Sequence, residues 1–77
     1  MMNAASLTSP RLRRVLKVLK DGKPHSTREI VRKAGVMAVS AVVAELRHHG
    51  AKIVCTTQLV DDRRVWFYTM ERPPNDG

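Results

Sequence analysis

The amino-acid sequence predicts an α+β fold: three helices packed with a two- or three-stranded antiparallel sheet. Three observations predict it. Leu12, Val15, Leu16 and Leu19 recur at i, i+3, i+4 and i+7, the stripe of a helix with one buried face. Ser26 stands three residues before Glu29, the spacing of a capping box that opens a helix. Residues 35–68 read as a helical pattern closed by Gly50, then two β-prone segments joined at a polar turn.

The first helix opens at Ser9, whose hydroxyl is suited to cap it, with Pro10 pre-set at its first position. Arg11, Arg13, Arg14, Lys17 and Lys20 surround its apolar stripe, and Gly22 is a sensible stop after Lys20 and Asp21. Lys23-Pro24-His25 is a connector or short strand. In the capping box that follows, the side chains of Ser26 and Glu29 each accept from a backbone N–H at the other end of the turn. Ile30, Val31 and Ala34 give this second helix its apolar face, while Arg28, Arg32 and Lys33 point away. Gly35 ends it, free to take the positive φ of a tight turn.

The third helix begins near Met37 or Ala38. Val39, Val42, Val43 and Leu46 share one face, and Met37, Ser40, Ala41, Ala44 and His48 the opposite one, flanked by Glu45 and Arg47. The first strand spans 52–57, with Cys55 as a small core residue. The turn region spans 58–63 around Asp61-Asp62, and Val65 to Thr69 return. Trp66 and Tyr68 fall on one face of that strand and Phe67 on the other, so at least one side packs into the core; stacking on single-stranded bases is the competing use. The folded domain is expected over 9–70, with polar tails at 1–8 and 71–77.

Bulk properties narrow the function. A chain of 77 residues makes one small domain and leaves little room for an enclosed active site. Fourteen Lys+Arg against seven Asp+Glu give a net charge of +7 and a pI near 10.6, which favours a polyanionic partner. No apolar run approaches a spanning helix, and residues 1–10 lack the features of a secretory signal. A lone cysteine suits a reducing, cytosolic setting. His25 beside Ser26 suggests a nucleophile and base, but no third group orients them and Ser26 serves as a cap, so no enzyme is expected. His48 and His49 diverge by about 100° on a helix, and no paired cysteine joins Cys55, so no metal site is expected and no cofactor is needed.

From Lys23 to Tyr68 the pattern STREIVRKAG, AVSAVVAELRHHGAKI and a hairpin ending in VWFYTM resembles small winged helix-turn-helix DNA-binding proteins, especially phage and prophage regulators. The run ELR followed by Gly50 and Ile53 is the closest echo, and the resemblance covers a little over half the chain. It implies a recognition helix over 38–49 and a flexible basic wing tip over 58–64. It also implies double-stranded DNA as partner, in transcriptional control or recombination. Base edges would be met by Ser40, Ala41, Ala44, Arg47 and His48; phosphates would be met by Arg28, Arg32, Lys33, Lys52, Arg63 and Arg64. A homodimer is compatible with so small a module. The donor-poor exposed face of the third helix keeps an alternative open, docking to a protein partner as an anti-repressor, inhibitor or assembly adaptor; RNA binding is a third reading.

Overall fold

The computed structural model describes residues 9–75; the tail expected over 1–8 and the last two residues of the C-terminal one lie outside that range. The elements follow the order α1 (Pro10–Leu19), β1 (His25–Ser26), α2 (Thr27–Ala34), α3 (Val39–His48), β2 (Lys52–Val60) and β3 (Arg63–Arg72). The strands form one antiparallel sheet in the order β1-β3-β2. The described residues therefore form an α+β fold of three helices and a three-stranded antiparallel sheet.

The apolar stripes make the core. Leu12, Val15 and Leu19 of α1 meet Ile30 and Ala34 of α2 and Val39, Val42, Val43 and Leu46 of α3, and Ile53 and Met70 close the layer from the sheet. Each fully buried Leu or Val contributes about 1.5–3 kcal/mol, so these stripes dominate the stability. Leu16 and Val31, at the margins of their stripes, are only half-buried and pack against the cluster.

Helix ends follow local chemistry with two corrections. Ser26 Oγ accepts from Glu29 N at 3.1 Å, capping α2. The reciprocal half of the expected box is replaced: the Glu29 carboxylate is held by His25 Nδ1 at 2.9 Å and Lys33 Nζ at 2.9 Å. Ser9 sits at the N-cap of α1, but its hydroxyl makes no cap bond; its carbonyl accepts from Arg13 N instead. At the other end of α2, Gly35 adopts φ +67° and donates to Val31 O, the left-handed stop expected of glycine. Arg14 Nε of α1 donates to the Ala34 carbonyl at 2.7 Å, satisfying one of the carbonyls a helix leaves unpaired at its end. Buried Val36 then anchors the turn into α3, which begins at Val39 with Ala38 as an uncapped N-cap.

The hairpin differs most from expectation. The ladder continues unbroken from Ile53↔Met70 to Val60↔Arg63, so the expected loop over 58–64 shrinks to the two residues Asp61 and Asp62. Their φ values, +52° and +63°, match the left-handed pair that a two-residue hairpin turn requires. Burial fades along the face that β2 and β3 turn toward the helices. Ile53 and Met70 are buried, Cys55 and Tyr68 are half-buried, and Trp66 and Leu59 are 50% and 76% exposed. Trp66 is therefore not core: the strands outrun the helical layer that would cover it.

The C-terminal segment also departs from a free tail. β3 runs on to Arg72, Pro74 is buried, and Asn75 N donates to His49 O at 2.9 Å. The Asn75 side chain lies where a Cβ on Gly50 would fall, 2.5 Å away, so Gly50 admits this strap as well as ending α3 with φ +97°.

Candidate nucleic-acid interface

The burial of α3 divides cleanly. With Val39, Val42, Val43 and Leu46 turned inward, Ser40, Ala41, Ala44, Arg47 and His48 are all exposed. At 100° per residue they occupy one arc of the helix surface, so the five expected base-contacting residues are brought together. No acidic residue lies in the first turn, and Arg47 and His48 fall in the last turn, where cations suit the helix dipole. The face is small and neutral over its first two turns. Met37, 90% exposed, stands just ahead of it.

Arg47 is on this arc, but its guanidinium turns toward β2. Nε and Nη2 both donate to the Ile53 carbonyl, at 3.1 and 2.6 Å. The interaction lies beside the register shift between Lys52 and Ile53, where pairing with β3 is irregular. Glu45, flanking the arc, receives Arg11 Nη2 of α1 at 2.9 and 3.2 Å, so α3 is pinned on both flanks. His48 and His49 stack edge-on with ring centroids 5.9 Å apart. Among the described residues no group of three or more His, Cys, Asp or Glu side chains is arranged to hold a metal ion.

The six expected phosphate-contacting residues do not form one group. Arg28 and Arg32 are exposed on α2 and make no ion pair among the described residues. Lys33 pairs with Glu29, and Lys52 with Glu71 at 3.3 Å across the strands. Arg63 and Arg64 flank the turn opposite Val60 and Leu59. Strand alternation sends them to opposite faces of the hairpin, so they are not one basic patch.

One network was not foreseen. His25, 6% exposed, lies between two carboxylates: Nε2 to Asp21 at 2.8 and 3.1 Å, and Nδ1 to Glu29 at 2.9 Å. A neutral imidazole has one N–H and serves one carboxylate; the imidazolium serves both. The bond from His25 holds the Asp21 carboxyl below its usual range, helped by Lys23 N. Lys33, and then His25, do the same for Glu29. The network ties the end of α1 to β1 and α2. With both ring nitrogens so engaged and Ser26 Oγ capping α2, the neighbouring pair does not form a hydrogen-bonded nucleophile and base. The only sequence signal was the presence of acids four residues either side of His25, which carries no geometric meaning outside a helix. On the sheet, burial pushes the Tyr68 phenol above its usual value.

No protein-family model, curated protein or solved structure matches this chain. Among the described residues no helix is long and apolar enough to cross a membrane.

Proposed function

We propose that this protein binds double-stranded DNA as a small winged helix-turn-helix module. In this reading α3 lies in the major groove, the β2–β3 hairpin is the wing beside it, and the role is regulatory, in transcription or recombination of phage or bacterial DNA. The observation that carries the proposal is the exposed arc of α3. Ser40, Ala41 and Ala44 lack bulk and charge, so the helix can approach base edges closely and touch thymine methyls. The chain's net charge of +7 supports a polyanionic partner. Base discrimination in this reading is modest, because Arg47 is spent on Ile53 and His48 is the remaining strong donor.

A second reading, docking to a protein, is favoured by the same neutrality of α3 together with exposed Leu59 and Trp66 on the hairpin. Fluorescence anisotropy with duplex DNA, single-stranded DNA and structured RNA, repeated across a salt series, separates the readings. Duplex binding should weaken with salt at a log–log slope of about −0.9 per phosphate contacted. Ala41→Glu, at an exposed helical position, should abolish duplex binding while leaving the circular dichroism melt unchanged. A parent protein that binds no duplex at low salt overturns the DNA reading. A folded Ala41→Glu variant that binds like the parent removes α3 from the groove.

A further inference from the structure

The charge of this chain is not where its proposed reading face is. Residues 1–33 hold nine Lys and Arg against two Asp and Glu, a net +7; residues 34–77, with α3 and the whole hairpin, hold five against five. The surplus positive charge therefore sits on α1, α2 and their connector. On that side of the molecule a cleft of about 470 Å³ opens between α1 and α2, lined by Arg14, Lys17, Val18, Asp21, His25 and Lys33.

We infer that this cleft is a phosphate-docking site, and that the phosphates are those of a DNA duplex backbone; the inference rests on the DNA-binding reading above. Three cations line it, each positioned differently. Arg14 is anchored by its Nε bond to Ala34 O, which fixes its guanidinium without neutralising it. Lys17 is exposed and has no ion-pair partner among the described residues. Lys33 is held by Glu29 in a pair whose lysine is half exposed, an arrangement that an incoming phosphate can recruit at little cost. The one carboxylate lining the cleft, Asp21, is already engaged by His25 and by Lys23 N. That carboxylate is 43% exposed and opposes an incoming anion, but the three cations of the lining outnumber it. In this reading the positive surplus of residues 1–33 supplies salt-dependent attraction from this side, and the neutral α3 face adds contact without charge. This division explains how a donor-poor helix could still be held on DNA: phosphate contacts position a protein without carrying sequence information.

The test compares two lysines of α1 that carry equal charge. Lys17 lines the cleft; Lys20, at the C-cap, does not. Lys17→Glu in the full chain should weaken binding to a labelled duplex by about tenfold at low salt and lower the magnitude of the salt slope by about one. Lys20→Glu should leave the slope unchanged. Lys17→Gln, which removes the charge without reversing it, gives the same slope readout should Lys17→Glu lose its helical circular dichroism. Equal effects at Lys17 and Lys20 would mean that bulk charge alone acts, and would overturn the cleft. So would Lys17 variants that keep the parent's slope while Arg63→Ala with Arg64→Ala removes it. In both cases the parent still binds DNA, so the wider reading survives. A parent that binds no duplex overturns both.

Discussion

The Arg47 guanidinium is bonded through Nε and Nη2 to the Ile53 carbonyl, which joins the end of α3 to the start of β2 where the strand register slips. A residue that by type and position would read bases thus braces the hairpin. Charge-assisted hydrogen bonds are worth more than neutral ones, although Arg47 is exposed and solvent weakens the effect. Arg47→Ala should lower stability by about 1–2 kcal/mol. Arg47→Lys should recover little of it, because an ammonium cannot present two parallel donors. Urea midpoints for both variants check this, and a lysine variant as stable as the parent would show that charge alone suffices.

Asp61 and Asp62 hold the hairpin turn at φ +52° and +63°. Aspartate tolerates the left-handed region better than most residues, but glycine enters it without steric cost. Asp62→Gly should therefore raise stability, by about 0.5–1 kcal/mol. A fall in the thermal midpoint would mean that the Asp62 side chain contributes more than its backbone costs.

Gly50→Ala should be destabilising by about 1–2 kcal/mol, since alanine at φ +97° is strained and its Cβ meets the Asn75 side chain. Asn75→Ala made alongside should return only the part due to the clash. A double-mutant cycle measured by chemical denaturation divides the two. Full rescue would assign the whole effect to the strap and none to the backbone.

Acid should weaken the junction of α1, β1 and α2. Asp21 and Glu29 titrate below their ordinary values of 3.8 and 4.5 in the folded protein, so in acid the unfolded chain binds more protons. Their contribution is present above those ordinary values and is lost as pH falls through the lower folded ones. Thermal midpoints taken from about pH 6 down to about pH 2 should drop through that window. The drop should shrink in Glu29→Gln, whose side chain no longer titrates. An identical acid profile in that variant would place the acid-sensitive groups elsewhere.

Helical periodicity was legible in the sequence because it is a property of short segments. Leu12, Val15 and Leu19, and Val39, Val42, Val43 and Leu46, lie inward in the structure because residues three and four apart share a helix face whatever surrounds them. The Ser26 cap and the Gly35 stop were legible for the same reason: each acts on backbone groups within four residues. The exposed arc Ser40, Ala41, Ala44 and His48 followed as the complement of the buried one. Tertiary structure alone decided the rest. Whether Gln58, Leu59 and Arg64 form a loop or a ladder depends on pairing between two strands, and strand propensity is set by those neighbours. Trp66 lies exposed because the helical layer ends before it, a matter of element lengths rather than residue type. Arg47 reaches Ile53, Arg14 reaches Ala34, and Asn75 reaches His49 and Gly50, all through the folded arrangement of separate elements. The sequence by itself thus determined which faces of the helices are buried; the packed fold decided which of the exposed charges remain free to meet a partner.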